Sequence, residues 1–376
     1  MSFLPLSSLL ADLVAIPTAN PPGGEEAIAL HLQRQLAELG ITSVLYPYRE
    51  GRASLYAEIP GRQPGSLILT GHLDTVPPSP NWSFAPFQVS EQDGRLFGLG
   101  TADMKGGVAM LLEGFCQVAR RGPPLYTLKL MLTADEEGDF GGAKSFEQTG
   151  LAEDALFALV AEATCGRTMV GERGLFWPRL YFQGKEAHGS TPSQGINAIE
   201  AAGRTLIPLL EWARSLPPRA LFGPPTLNPG RIEGGRQPNI VAESCRLDLD
   251  FRYGEECEQE ALIGRMEELG HSSLPGIRFH WETCKAVKPL FTPLDDPWVM
   301  ALLGAQKAVK GDAEQPGVVS YCTDLPVLFP RTAPPCVVFG PGDIRQAHQP
   351  DEYISLVSLE ESSRVLTRFL LETICP

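Results

Sequence analysis

Apolar side chains at positions 9, 10, 13 and 14 follow the three- and four-residue spacing of a buried helix face, and residues 17–24, rich in Pro and Gly, close that segment in a loop. A second helix is predicted over residues 25–39 and a third near 104–120. Short, nearly unbroken apolar runs accompany them, at 66–70, 128–133 and 156–161. Such runs are typical of strands covered by helices on both faces, so this part of the chain is predicted to be an α/β layered sheet.

From about residue 175 the pattern changes. A strand (177–183), a long helix (197–216), two strands (227–232 and 239–253), a helix (256–269) and a strand (277–286) give the order β-α-β-β-α-β, that of a ferredoxin-like unit. The earlier alternation then returns: a helix at 298–309, strands near 318–320 and at 336–339, and a closing helix at 359–373. A returning α/β pattern needs a sheet to join. The predicted fold is therefore α/β, a helix-flanked and mostly parallel sheet built from residues 1–174 and 287–376, with a ferredoxin-like α+β domain inserted at 175–286. The Pro-rich stretch 216–229 reads as a loop within the insert.

With 376 residues and 43% hydrophobic content the chain can bury two cores. Its 31 basic and 45 acidic side chains leave a formal charge of -14, which repels phosphate backbones and anionic lipid, so no nucleic-acid or membrane partner is expected. Residues 1–5 lack the basic start of a secretory signal and no apolar run approaches the ~20 residues that span a bilayer; a cytoplasmic protein is expected. The eight cysteines are scattered without a C-x-x-C pair, which predicts mostly buried, inert thiols and no disulfide scaffold.

Candidate chemistry gathers where apolar strands end. His72 and Asp74 follow the run 66–70; residues two apart on an extended segment project to one side, at the strand end where open α/β sheets carry their sites. Taken alone, an H-x-D is more often a loop pair without a role. Asp103 lies in a glycine-rich turn ahead of a helix, which can force one carboxylate into a fixed direction, although Asp is also a favoured helix N-cap. Glu136 and Glu137 close another strand. Adjacent residues diverge there, so one carboxylate can bind a metal while the other faces a metal-bound water, and Gly138, Gly141 and Gly142 mark a fixed turn rather than a solvated acidic run. Glu162 ends the strand at 156–161, and His348 follows the strand at 336–339. Two imidazoles with several carboxylates suit zinc or cobalt, and Asp103 can bridge two ions about 3.5–4 Å apart.

At these motifs the chain resembles, across nearly its full length, the metallopeptidase family that contains acetylornithine deacetylase, succinyl-diaminopimelate desuccinylase, aminoacylase-1 and carboxypeptidase G. Five ordered blocks carry the resemblance: GHLDTVP at 71–77, GLGTADMKGG at 98–107, TADEEG at 133–138, GKEAHGSTPSQGINAI at 184–199 and FGPGDIRQAHQPDEYI at 339–354. It implies two divalent metal ions, zinc first, with cobalt or manganese suited to the same donors. His72, Asp103 and Glu162 would hold one, and Asp103, Glu137 and His348 the other. Asp74 would fix the tautomer of His72, Glu136 would act as general base on the attacking water, and the Asp103–Met104 peptide would be cis. The insert would be a dimerisation domain whose His188 reaches across a homodimer interface to stabilise the tetrahedral intermediate. Asn239 and Arg252 match substrate-contacting positions, although Arg252 also reads as an exposed residue balancing Asp248 and Asp250.

Within the family, Glu162 is what deacylases and carboxypeptidases tend to carry at that position. This implies a small-molecule substrate, an N-acyl amino acid or short peptide with a free carboxylate, which the guanidinium of Arg252 would meet with two parallel hydrogen bonds. Desuccinylases tend to have two basic residues at 171–174, where this chain has Glu172 before Arg173, and where many relatives have a Gly-Gly-Thr-Ser-Asp run this chain has Ser320-Tyr-Cys-Thr-Asp324, without the glycines and with a different pocket shape expected near Tyr321. An acetylornithine deacetylase-like activity is the first expectation. Carboxypeptidase, dipeptidase or desuccinylase activity comes next, and a metal-binding module without catalysis is the reading from another class.

Overall fold

Two helices lead into the sheet, α1 (Leu6–Val14) and α2 (Glu25–Glu38), in the computed structural model, which describes residues 5–312, 314–331 and 333–375. Leu9, Leu10, Leu13 and Val14 are all buried, as their spacing requires. A hairpin that the apolar pattern does not announce follows, β1 (Ser43–Arg49) with β2 (Arg52–Ile59). The first strand contains Pro47 and the second buries Arg52 and Ser54, so neither reads as an apolar run.

The chain continues through β3 (Gln63–His72), β4 (Ser90–Gln92), β5 (Arg95–Phe97), α3 (Lys105–Arg121), β6 (Tyr126–Thr133), α4 (Gly141–Thr149), β7 (Ala155–Val160) and β8 (Met169–Glu172). An inserted stretch holds β9 (Gly174–Gln183), α5 (Ala198–Ser215), β10 (Thr226–Gly234), β11 (Ser244–Tyr253), α6 (Glu256–Ser272) and β12 (Arg278–Val287). The remainder is β13 (Leu290–Phe291), α7 (Pro297–Lys310), β14 (Gly317–Val319), α8 (Leu325–Leu328), β15 (Cys336–Val338), β16 (Tyr353–Ser355) and α9 (Leu356–Ile374). Two compact units result: Met1–Gly171, Phe291–Gly317 and Thr323–Pro376 form one, and Glu172–Leu290 with Val318–Cys322 the other.

In the first unit the strand order is β1-β2-β6-β3-β7-β15-β8-β13, with β14 also pairing with β8. β6, β3, β7 and β15 run parallel, while β1 and β2 are antiparallel additions beyond β6. Side chains from α1, α2, α3, α7 and α9 join those of β2, β3, β6 and β7 in one core. Because the parallel strands point one way, the carboxyl ends of β3, β6 and β7 emerge at one edge of the sheet, where α/β folds place their sites.

The second unit is a ferredoxin-like sheet with the order β10-β11-β9-β12, antiparallel throughout, whose core includes side chains from α5 and α6. Asn197 caps α5 by accepting from the backbone N–H of Ile199 and Glu200 at 3.0 and 3.2 Å. Part of the Pro-rich stretch is strand, not loop: β10 lies at the sheet edge, and its register shifts between Pro229 and Arg231, as befits a residue without an N–H. Residues 239–243, expected to extend β11, lie outside it: 239–241 run beside 187–189, with bonds from Gly189 N to Asn239 O (2.7 Å) and Val241 N to Ala187 O (2.9 Å).

All eight cysteines are free, but only Cys116, Cys245 and Cys336 are buried, so the expectation of mostly buried thiols does not hold. Among the described residues no helix is long and apolar enough to cross a membrane.

Candidate metal centre

β3 ends at His72, whose backbone pairs with Thr133 at the end of β6. β6 leads into the turn of Glu136 and Glu137, and β7 into Glu162, where Ala161 N still donates to Thr70 O at 3.0 Å. The sheet thus delivers four of the predicted residues to one edge. Glycine lets the remaining segments come close. A Cβ at Gly107, in the first turn of α3, would stand 2.0 Å from Ala161 O; one at Gly340, after β15, would stand 2.3 Å from that same oxygen and 2.4 Å from Glu162 O. Asp103 precedes α3 but does not cap it: the N-cap is Met104, whose side chain makes no capping bond to the helix, and the Asp103–Met104 peptide is cis as the resemblance implies.

The side chains form two sets joined by one carboxylate. His72 Nε2 lies 3.0 Å from Asp103 Oδ1 and 3.3 Å from Glu162 Oε1. His348 Nε2 lies 3.4 Å from Asp103 Oδ2 and 3.0 Å from Glu137 Oε1. Each oxygen of Asp103 therefore belongs to a different set of one nitrogen and two carboxylate oxygens. His72, Asp103 and Glu162 are buried, whereas His348 is exposed and holds a left-handed backbone with φ of 60°.

Asp74 lies beneath His72. His72 Nδ1 donates to the backbone oxygen of Asp74 at 2.9 Å, so in the neutral ring Nε2 is the lone pair that faces Asp103 and Glu162; the Asp74 carboxylate is 3.6 Å away. That carboxylate accepts instead from Glu136 N and Glu137 N, both at 3.1 Å, and from Asn20 Nδ2 at 2.9 Å.

Electrostatics reflects this crowding of acids. Burial raises the Glu136 carboxyl well above its ordinary value; His72 opposes, while Asp324, Glu162 and Glu137 add to the rise. Burial likewise lifts Glu162 and pushes Asp324 up to about 7. Hydrogen bonds to Asp103 and Glu137 bring His348 up to about 10, and for His72 the bonds to Asp103 and Glu162 outweigh a burial that works the other way. Among the described residues, the imidazoles of His72 and His348 are the positive groups that act most directly on these carboxylates. Imidazole nitrogen with carboxylate oxygen in two sets sharing Asp103 is a donor set that fits a pair of divalent cations.

Several buried polar residues of the site escape a reading of the sequence. Glu352 accepts from the backbone N–H of Gly100, Ala102 and Asp103 at 2.9, 2.7 and 3.0 Å, fixing the turn that carries Asp103. Asp324 accepts from the Thr133 hydroxyl at the end of β6. Asn20, Glu25, Arg52 and Asp135 form a buried network beside the turn of Glu136. Glu352 and Asp324 stand in segments already compared with the family, so a carboxylate there could have been singled out; Asn20 and Arg52 have no such signal.

His188, Asn239 and Arg252 belong to the second unit. The pairing of 187–189 with 239–241 brings the His188 and Asn239 backbones side by side. His188 is exposed, and its Nδ1 accepts from Ser190 N at 3.1 Å, so in the neutral ring Nε2 carries the hydrogen. Arg252 is engaged with Asp250, Nε to Oδ1 at 2.8 Å and Nη2 to Oδ2 at 3.3 Å, the balancing arrangement left open by the sequence. Arg173 donates to the Phe222 carbonyl.

Histidines and carboxylates converging at the strand ends of a helix-flanked sheet make this a candidate metal centre. The sequence profile of peptidase family M20/M25/M40 matches residues 68–372, and the chain belongs to that family. It is 31% identical to the acetylornithine deacetylase of Proteus mirabilis, over 98% of this chain and 96% of that protein. The acetylornithine deacetylase of Edwardsiella ictaluri is 32% identical over 96% of each. Among solved structures, the aminopeptidase PepT of Bacillus cereus superposes with a TM-score of 0.81 at 21% identity, over 98% of this chain and 97% of that one. The Bacillus subtilis YXEP protein, described as a dinuclear metal binding peptidase, gives 0.76 at 16% identity over 98% and 97%. These two establish the fold.

Proposed function

We propose that the chain is a metal-dependent hydrolase of the amide bond of an N-acyl amino acid, with N-acetylornithine as the first candidate. The observation that carries the reading is the division of Asp103 between two donor sets, one with His72 and Glu162 and one with Glu137 and His348. Each set would hold one divalent ion, zinc first, with cobalt and manganese suited to the same donors. Bound there, the pair would acidify water and polarise the substrate carbonyl.

The protein groups have separate tasks. His72 presents Nε2 because its Nδ1–H is committed to the Asp74 carbonyl. Glu136, half-buried and held by its backbone N–H on Asp74, would take the proton of the attacking water and return it to the departing amine. Burial and neighbouring carboxylates raise its proton affinity, which favours that exchange. No covalent enzyme intermediate is required.

In a homodimer built through the ferredoxin-like unit, His188 would offer Nε2–H to the oxyanion in the neighbouring subunit. Asn239 would meet the substrate, and Arg252 would meet a substrate carboxylate by sharing or leaving Asp250. The similarity to acetylornithine deacetylases over nearly the whole chain favours a deacetylase, and the fold shared with aminopeptidase PepT keeps short peptides as the second reading.

The test is an assay of purified protein with zinc or cobalt against N-acetylornithine, succinyl-diaminopimelate, other N-acyl amino acids and dipeptides. Acetylornithine hydrolysed with the highest kcat/KM supports the first reading, and a dipeptide preferred over all acyl amino acids replaces it with the second. Two ions bound without turnover of any compound would leave a metal-binding module.

A further inference from the structure

We propose that Asn20 is a positioning residue, which holds the turn bearing Glu136 and Glu137 against the strand end bearing His72, with Arg52 as the buried cation that completes the arrangement. The inference rests on the metal-centre reading above.

The loop carrying Asn20 is fastened along the continuation of β3. Asn20 N donates to Thr75 O at 2.8 Å, Thr75 N to Thr18 O at 3.1 Å, and Thr18 Oγ1 to Leu73 O at 2.7 Å. This fixes the backbone from which the carboxamide projects. Its Nδ2 donates to Asp74 Oδ2 and to Asp135 Oδ1, each at 2.9 Å. An amide nitrogen has two hydrogens, so one serves each carboxylate and the donor capacity is used in full.

Both acceptors are fixed to the same turn. Asp74 takes the backbone N–H groups of Glu136 and Glu137 at 3.1 Å. Asp135 precedes them with φ of 69°, and its own N–H donates to Glu25 Oε1 at 3.1 Å. Arg52 joins the acids from below: Nη1 lies 2.9 Å from Asp135 Oδ1, Nε donates to Glu25 Oε2 at 2.9 Å, and Nη2 bonds Glu25 Oε1. All five side chains are buried.

Two carboxylates in low dielectric repel strongly unless donors stand between them. Arg52 serves Asp135 and Glu25, while Asn20 is the side chain that touches both Asp135 and Asp74. Removing its amide leaves Asp74 facing Asp135 without that shared donor, and the turn bound to Asp74 shifts. A displacement of about 1 Å in such a support can cost about 100-fold in rate.

The test compares wild type with Asn20→Ala, Asn20→Asp and Asn20→Ser, and with Thr18→Val, which loosens the same loop without touching a carboxylate. Cobalt titration followed by visible absorption reads the centre independently of turnover, and kcat and KM are measured on the best substrate. The Asn20→Ala variant is expected to weaken the looser cobalt equivalent about 10-fold and to lower kcat by about 10- to 100-fold, with an altered cobalt band. KM should stay within about threefold, Asn20→Asp should be worse because it sets an acceptor against two acceptors, and Asn20→Ser should fall between. Thr18→Val, which keeps the amide and only loosens the backbone behind it, should lose clearly less than Asn20→Ala in both cobalt binding and kcat, whatever its melting temperature.

Wild-type cobalt binding and kcat in Asn20→Ala would overturn the proposal. So would an equal loss in Thr18→Val, or failure of all three Asn20 variants to fold, since either makes the loop's role one of stability. If wild type itself does not take two ions, the metal-centre reading fails, and that result is distinct from these.

Discussion

The imidazole of His72 turns Nδ1 toward the main-chain oxygen of Asp74, 2.9 Å away, while the carboxylate of that residue stands 3.6 Å off and serves the turn of Glu136 and Glu137. The tautomer of the neutral His72 ring is therefore set by backbone, and the Asp74 side chain holds the turn of Glu136, the base in the reading proposed above. Asp74→Ala should still bind two ions at saturating metal but lower kcat by about 100-fold. Metal analysis beside steady-state kinetics checks this. Loss of a whole metal equivalent would mean that the carboxylate orients the ring after all.

Glu136 belongs to neither donor set. Glu136→Ala and Glu136→Gln should keep both ions and lose turnover by roughly 10²- to 10⁴-fold, the range for removal of a general base. Near wild-type hydrolysis in either variant would sink the assignment.

Glu352 gathers three backbone donors under the Asp103 turn. A buried N–H left without an acceptor costs on the order of 1–3 kcal/mol, so Glu352→Ala should destabilise the metal-free protein by on the order of 3 kcal/mol or more. Glu352→Gln, which keeps one acceptor oxygen, should cost less. Thermal and denaturant unfolding of the two variants measures the difference.

His188 presents Nε2–H because Ser190 N occupies Nδ1. His188→Ala should lose turnover with its metal content intact. If the residue acts across a dimer, mixing and re-associating the inactive His188→Ala and Glu136→Ala proteins should restore activity, since one site of each mixed dimer has both groups. Mixtures as inactive as their parents would place the residue's action within its own subunit.

Much of the fold and of the candidate site is legible in the sequence. β3, β6 and β7 are covered on both faces, so they appear as apolar runs, and the residues just beyond them are those at the sheet edge. β1 and β2 were not legible: Pro47 interrupts the first, and Arg52 and Ser54 are polar positions buried for the sake of Glu25, Asp135 and Ala134 N rather than for packing. The same reason hid Asn20 and Glu352. A polar side chain that serves buried partners far along the chain looks like a surface residue until the chain has folded. Residues 239–243 look like strand because their apolar positions continue into β11, whereas 239–241 bond 187–189 and the carbonyls of Ala242 and Glu243 accept from Ala198 N and Gly184 N.

The central claim is that Asp103 is shared by two ions. Titration of metal-free protein with zinc or cobalt, with the bound metal counted for wild type, His348→Ala and Asp103→Ala, tests it most directly. Two equivalents should bind to wild type and one to His348→Ala, and Asp103→Ala should bind neither tightly. A single equivalent in wild type, or two tight equivalents in Asp103→Ala, would contradict it.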